Sequence, residues 1–252
     1  MFRAAAEQIA DSFERNPLDF VAEADLQVAL VEALRTRLSP VKAAATNITL
    51  EGGSNGSFKR EYWRTAQEQL MSTGQLNRVH TEVSVEKGER IDVVVFNSEL
   101  TKPIKWVSGG SKRFNTADIE CAFELKFVKN KTSFPKQSGF PVGELASQNP
   151  SVETLLQQPD SDEPILDFDE NKIRADIQEL NRLEDVNQRY LLLFSNNNYL
   201  YQNPTARESG DYRYGDLYHR MGKAAREWMQ REATEGVEIL YVHPRGKEWI
   251  TG

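Results

Sequence analysis

The chain has 252 residues, of which 39% are hydrophobic and 27% are charged, so a packed core is expected and global disorder is excluded. Its net charge of −7 means that any nucleic-acid site must be a local basic patch. A single cysteine and three scattered histidines exclude an intrachain disulfide and argue against a structural zinc site. The cysteine, Cys121, is expected to be a buried, inert thiol.

No stretch of the sequence is apolar over the length of a membrane-spanning helix. The longest purely apolar runs, 93–96 and 191–194, have the length of strands. The N-terminal residues also lack the long apolar run of a signal peptide. These features predict a soluble, cytoplasmic protein that has no membrane partner.

Hydrophobic periodicity predicts an alternation of helices and strands along the chain. The predicted helices lie near residues 1–16, 23–38, 58–71, 169–185 and 215–233, and the predicted strands lie at 79–85, 90–96, 119–128, 190–195 and 237–242. Residues 129–168 contain five prolines and few periodic segments, which indicates an irregular insertion. The order predicts one α/β domain over residues 1–252, with a mixed central sheet flanked by helices that begins as a meander and continues by crossovers.

The predicted strand at 119–128 has one wholly apolar face and one face that carries charge. Its apolar face is formed by Ile119, Cys121, Phe123, Leu125 and Phe127. Because side chains alternate along a strand, Glu124 and Lys126 point together to the opposite face. This pair is the candidate centre of a functional site.

Asp92 is the only charged residue in the apolar run 91–96, where a lone carboxylate is unfavourable unless it is paired or binds a cation. Beside Glu124 on a neighbouring strand, it would offer Mg²⁺ two carboxylates and the backbone carbonyl of Leu125. Lys126 could then orient or help to deprotonate a water and stabilise charge on phosphorus. Glu23 projects into the apolar stripe of helix 23–38, either toward this site or as a first-turn acid favoured by the helix dipole.

These residues resemble the motifs of the PD-(D/E)xK nuclease superfamily, which has the restriction-endonuclease-like fold. The resemblance rests on residues 90–96 and 123–127, although Ile91 stands where the motif has proline. It implies a phosphodiesterase that depends on Mg²⁺ or Mn²⁺. Asp92 and Glu124 match the metal-binding carboxylates, and Lys126 matches the catalytic lysine. Glu23 matches a helix glutamate that many members carry before the sheet.

Positive charge flanks the predicted active strand on both sides. Residues 101–140 contain eight basic and three acidic side chains, a net charge of +5, whereas the rest of the chain totals −12. Phosphate backbones bind such patches with release of counterions. Candidate nucleic-acid contacts are Arg90, Lys105, Lys112, Arg113, Lys129, Lys131 and Lys136. Solvated loops are the alternative interpretation of this charge.

The sequence leaves several functions open. The interpretation that we favour is a DNA endonuclease in restriction, repair or defence, with RNA less favoured and a homodimer or a larger complex compatible. An inactive nucleic-acid-binding or assembly module on the same fold is the first alternative, and an acidic structural domain is the second. A surface salt-bridge cluster could also explain the charged residues. Glu82 and Arg90 could line the site, and Asp176 is interpreted as a structural hydrogen-bonding residue.

Overall fold

The computed structural model describes residues 1–38, 42–45, 48–51, 75–85, 90–107, 112–128, 136–137, 166–167, 172–195 and 226–251. The predicted helix at 58–71, almost all of the predicted insertion at 129–168 and the first part of the predicted helix at 215–233 lie outside these residues. No helix within the described ranges is long and apolar enough to cross a membrane.

Four α-helices are described, and their positions follow the predicted periodicity. They are α1 (Phe2–Arg15), α2 (Glu23–Leu38), α3 (Lys172–Arg182) and α4, which covers residues 226–232. Asp25 stabilises the start of α2, because its carboxylate accepts hydrogen bonds of 2.8 Å from the backbone amides of Val21 and Ala22. Short 3₁₀ turns lie at Pro17–Asp19 and Thr116–Asp118.

Fourteen strands are described. They are β1 (Lys42–Ala45), β2 (Ile48–Glu51), β3 (Gln75–Asn77), β4 (Val79–Val85), β5 (Arg90–Phe96), β6 (Glu99–Leu100), β7 (Ile104–Val107), β8 (Lys112–Phe114), β9 (Ile119–Val128), β10 (Lys136–Gln137), β11 (Leu166–Asp167), β12 (Gln188–Ser195), β13 (Val237–His243) and β14 (Gly246–Thr251). Nine of them form one sheet in the order β14-β13-β12-β9-β5-β4-β8-β7-β2, and the others form β3-β1-β6 and the pair β10-β11.

The centre of the large sheet has the predicted topology. Strand β5 is antiparallel to β4 and to β9, whereas β9, β12 and β13 run parallel to one another. A meander is therefore followed by crossovers, and α3 lies in the chain between the parallel strands β9 and β12. The predicted α/β class with a mixed sheet flanked by helices is confirmed.

Helices cover both faces of the central strands. On the α2 face, α1 and α2 pack against Cys121, Phe123, Leu125 and Phe127 of β9, and Cys121 is a buried free thiol as expected. On the α3 face, α3 and Trp228 of α4 pack against Leu191 and Leu193 of β12. Burial on both sides explains why the central strands are almost continuously apolar.

Two details of the predicted strands are wrong. Ile119 packs on the α3 face rather than with Cys121, because Val95 and Phe96 pair with Cys121 and Ile119 and leave Glu120 as an extra residue in β9. Residues 97–118, where no strand was predicted, contain β6, β7 and β8, and β1, β2, β3 and β14 were not predicted either. These strands have two to six residues, too few for a clear alternation.

Candidate active site

The side chains of Asp92 and Glu124 meet where β5 and β9 separate. The regular pairing of the two strands runs from Val95 to Val93, which lies opposite Phe123. Beyond this pair, the backbone amide of Leu125 donates a 2.8 Å hydrogen bond to Oδ2 of Asp92. The Asp92 side chain thus occupies the space that a further backbone pair would fill.

The alternation of β4 and β5 inverts at one cross-strand position. Val79 of β4 and Val93 of β5 pack on the α2 face, whereas Val83 and Ile91, further toward the site, pack on the α3 face. Between them, Glu82 has a φ of 55°, in the left-handed region that is unfavourable for a residue with a side chain. Backbone strain of this kind often accompanies functional sites.

This inversion brings Glu82 and Asp92 to one residue of α2. The Nε2 group of Gln27 donates hydrogen bonds to Oδ1 of Asp92 at 3.1 Å and to Oε1 of Glu82 at 3.2 Å. Glu82 also forms an ion pair with Arg90. Glu82 is therefore a carboxylate partner of Arg90. Both oxygens of Asp92 are fixed, one by β9 and one by α2.

Glu124 is a buried acid with an unmet hydrogen-bonding requirement. It is 4% exposed, and within the described part of the chain its Oε1 atom has no hydrogen-bond partner. Burial, followed by the charges of Asp92 and Asp176, raises the pKa of Glu124 to about 10. Burial also raises the pKa of Asp92, and the two carboxyl groups share a hydrogen bond that requires a proton when no cation is bound.

Lys126 is held between acids from two helices. Its Nζ atom lies 3.1 Å from Oδ2 of Asp176 on α3 and 3.7 Å from Oε2 of Glu23 on α2. Burial alone would lower the pKa of Lys126, but Asp176 and Glu23 outweigh burial and raise it, so the ammonium form is favoured. Glu23 is fixed in turn by a 3.1 Å hydrogen bond from the backbone amide of Phe127.

Four of the predicted site residues therefore come together: Asp92, Glu124, Lys126 and Glu23. Leu125 lies among them and contacts Asp92 through its amide. Gln27 was not predicted as a site residue, and Asp176 was predicted to form a structural hydrogen bond. Two signals could have found them: Gln27 follows Glu23 by one helical turn, and Asp176 is a polar residue beside the buried stripe of α3.

The predicted nucleic-acid contacts do not all lie on one surface. Strand pairing aligns Lys105, Arg113, Ser84 and Arg90 in one row across β7, β8, β4 and β5. The residue next to each of them in the sequence packs on the α3 face: Ile104, Phe114, Val85 and Ile91. Because side chains alternate along a strand, the row itself points toward the α2 face. We name these four residues the basic row.

Lys112 precedes Arg113 and faces the other side of β8. It acts electrostatically on His80, whose ring lies against Phe96 on the α3 face. Lys129 and Lys131 lie outside the described residues, and only the backbone of Lys136 is described. Of the predicted contacts, Arg90, Lys105 and Arg113 therefore lie in the basic row, and Arg90 is two residues from Asp92 in β5.

The carboxylate oxygens at the site suit a hard divalent cation whose other ligands come from water and from a bound substrate. Among the described side chains, no group of three or more His, Cys, Asp or Glu could hold a metal ion. Mg²⁺ commonly uses only one or two carboxylates together with waters and substrate phosphates. Asp92 and the unpartnered oxygen of Glu124 meet that smaller requirement.

Comparisons with protein-family models, curated proteins and solved structures found no match to this chain.

Proposed function

We propose that this chain is a Mg²⁺- or Mn²⁺-dependent nuclease, most simply a DNA endonuclease, with an active site of the PD-(D/E)xK type on a restriction-endonuclease-like core. The observation that carries the proposal is the buried Glu124 carboxyl beside Asp92, whose Oε1 atom has no hydrogen-bond partner among the described residues, with the ammonium of Lys126 two residues further along β9. An ordinary surface salt-bridge cluster would not bury two acids so close together that they share a proton.

In this proposal, Asp92 and Glu124 hold the cation, with the Leu125 carbonyl as a third oxygen donor. When bound, the cation would polarise a phosphoryl oxygen and make a water more acidic. The hydrogen bonds from Leu125 and Gln27 orient Asp92 toward Glu124. Because the charges of Asp176 and Glu23 favour the ammonium form of Lys126, Lys126 orients the attacking water and stabilises the phosphorane rather than acting as a free base.

The reaction is the hydrolysis of one phosphodiester bond. The oxygen of water forms a bond to phosphorus, and the bond between phosphorus and the leaving sugar oxygen breaks. One proton passes from the water to bulk solvent, and the leaving oxygen takes up one proton from bulk solvent. Lys126 is the ammonium group at the site that can hydrogen-bond to the water during this exchange.

A nucleic acid is the proposed substrate because the basic row begins at Arg90, two residues before Asp92. Neighbouring strands are about 4.8 Å apart, so the row from β5 to β7 spans about 14 Å of the sheet. At about 3.4 Å of helix axis per phosphate on one strand of a duplex, that span covers about four phosphates. DNA is favoured over RNA on the resemblance of the motifs alone, so the assay should include both.

The test is cleavage of plasmid and oligonucleotide substrates by the purified chain with Mg²⁺ or Mn²⁺. We expect Asp92→Asn to abolish cleavage and Lys126→Ala to reduce it by about 10²- to 10³-fold. Asp11→Asn is a matched control, because it removes a carboxylate that contacts Lys247 away from the site. Wild-type cleavage rates in both site variants would reject this active site. Salt-dependent binding without products would instead favour the inactive binding module.

The basic row gives a second, independent test of the substrate. The logarithm of the affinity falls as the logarithm of the salt concentration rises, and each phosphate contact that is lost should make this slope less steep by about 0.9 for duplex DNA. We expect Arg113→Ala to make the slope less steep. Lys112→Ala, which changes the neighbouring residue on the other face, should leave the slope unchanged. Equal effects of the two variants would reject the row as the substrate track.

A further inference from the structure

We propose that Asp176 is a positioning residue for Lys126, and that it holds the ammonium away from Glu124 so that the Glu124 carboxylate stays available to a cation. This inference rests on the proposed nuclease function. It adds to the site a residue from α3, which follows the motif strands in the chain by almost fifty residues.

The first support is the geometry of Lys126. Glu124 and Lys126 lie two residues apart on one face of a strand, a separation of roughly 7 Å that a lysine stem can bridge by folding back. The ammonium instead lies 3.1 Å from Asp176 and 3.7 Å from Glu23. The Oε1 atom of Glu124 is left without a partner among the described residues.

The second support is burial. The side chains of Lys126 and Asp176 are 15% and 12% exposed, so solvent screens their attraction far less than it screens that of a surface pair. The Glu23 carboxylate is more exposed, at 37%, and its oxygen is further from the ammonium. Asp176 is therefore the stronger of the two anchors, and Glu23 is the weaker.

The third support is that α3 is firmly fixed. Ile173, Ile177 and Leu180 bury one stripe of the helix against the sheet. At its C-terminal end, the buried guanidinium of Arg189 donates a 3.0 Å hydrogen bond to the carbonyl of Leu180. Asn181 donates to the carbonyl of Glu232 at 2.8 Å. An acid on such a helix can define the position of a flexible lysine side chain.

The first experiment measures the position of Lys126 without any need for cleavage. The protein is labelled with ¹⁵N-lysine, and the ammonium signals that exchange slowly with water are recorded. We expect one such signal to vanish in Lys126→Ala, to vanish in Asp176→Asn and to persist in Asp176→Glu. Asp11→Asn, which breaks the Asp11–Lys247 contact, should leave that signal unchanged. Persistence of the Lys126 signal in Asp176→Asn would overturn the inference.

The second experiment is a double-mutant cycle on cleavage at saturating Mg²⁺. A residue that orients a catalytic group is expected to change activity by about 10- to 100-fold. We expect Asp176→Asn to lower kcat by this factor with little change in KM, and Asp176→Glu to restore part of it. In the Lys126→Ala background, Asp176→Asn should cost nothing further, because the two residues act as one unit.

The outcomes separate the two proposals. If the wild-type chain cleaves no nucleic acid, the proposed function fails, and the ammonium signals still decide whether Asp176 positions Lys126. If Asp176→Asn lowers kcat equally with and without Lys126, Asp176 acts independently and the inference is overturned. Thermal unfolding of each variant identifies any loss of activity that comes from unfolding.

Discussion

Two buried acids lie along β9, one directly before the strand and one in its second half, and they differ in their hydrogen-bond partners. We call the surroundings of Asp118 the structural end and those of Glu124 the functional end. Asp118, directly before the strand, is 2% exposed, and Glu124, within it, is 4% exposed. Asp118 accepts hydrogen bonds from the amide and hydroxyl of Thr101, at 2.7 and 2.9 Å, and from the amide of Lys102, at 3.0 Å. Glu124 has an oxygen without a partner among the described residues and lies beside two further acids.

The difference separates an acid that stabilises the fold from one that we propose binds a cation. A buried carboxylate with three donors has its hydrogen-bonding requirement met and fixes the backbone at Thr101 and Lys102. A buried carboxyl without such donors destabilises the fold unless another group completes it. Similar burial therefore stabilises the fold at Asp118 and destabilises it at Glu124, and the hydrogen-bond partners of each acid make the difference.

The largest effect on stability is expected at the structural end. Asp118→Ala would leave two backbone amides and one hydroxyl near Thr101 without their acceptor. Because Thr101 and Lys102 are exposed and water can reach their groups, about 1 kcal/mol is lost for each hydrogen bond, and the free energy of unfolding should fall by about 3 kcal/mol. Urea denaturation measures this change. Asp185→Ala removes an exposed carboxylate that accepts a hydrogen bond from Thr116 and should cost less than about 1 kcal/mol. Similar losses in both variants would contradict this account of Asp118.

The sequence predicted the strongly periodic parts of this picture. Helix α2 begins and ends at the predicted residues because its buried stripe is continuous from Leu26 to Leu38. Strand β9 was predicted from the alternation around Phe123, and Asp92 and Glu124 were found as charges next to apolar runs. The convergence of these acids followed from the predicted meander, because β5 and β9 are neighbours in space although β6, β7 and β8 lie between them in the chain.

The remainder depends on tertiary geometry that no local pattern encodes. The inversion at Glu82 carries no glycine to mark the left-handed residue. Asp176 reaches Lys126 only because of the way α3 lies across β9, and helix periodicity does not define that crossing. Similarly, Arg113 and Lys112 are adjacent basic residues whose faces differ only once the register with β4 is known.

At the functional end, Mg²⁺ should supply the partner that Oε1 of Glu124 lacks among the described residues. A cation between Asp92 and Glu124 would replace the proton that they share. Because it would bind the folded chain and not the unfolded chain, it would stabilise the folded state. At a Mg²⁺ concentration 100 times the Kd, the expected gain is about 2.7 kcal/mol. Denaturation with Mg²⁺ and with EDTA measures it, and Glu124→Gln should abolish most of the gain. An equal gain in Glu124→Gln would place the ion elsewhere.

Without metal, the same carboxyl should make stability depend on pH. The pKa of Glu124 is about 10 in the folded chain against an ordinary value of 4.5, so the folded state retains a proton that the unfolded state releases. The contribution of Glu124 is fully present below pH 4.5 and is lost as the pH rises toward 10. Asp176, with a pKa raised by burial to about 7, acts in the same direction between its ordinary value of 3.8 and 7.

Glu124→Gln tests this dependence. It removes the titrating group, so with EDTA it should raise the free energy of unfolding at pH 8 by about 1–3 kcal/mol and flatten its decline with pH. Denaturation at pH 5, 6.5 and 8 measures both effects. The corresponding substitution at the structural end, Asp118→Asn, should lower the free energy of unfolding at all three pH values. A Glu124→Gln variant that is less stable than the wild type at pH 8 would show that Glu124 is a structural acid like Asp118.

The smallest effect concerns backbone strain, which also lies at the functional end. Among the described residues, Glu82 is the only one other than glycine with a positive φ. Glu82→Ala removes the contacts to Gln27 and Arg90 but keeps the strain, whereas Glu82→Gly removes both. Because glycine adopts the left-handed region freely, Glu82→Gly should be more stable than Glu82→Ala by about 1 kcal/mol. Thermal unfolding of the two variants gives this difference. If Glu82→Ala were the more stable, the inversion of β4 would carry no strain, and the distinction between the two ends would rest on hydrogen bonding alone.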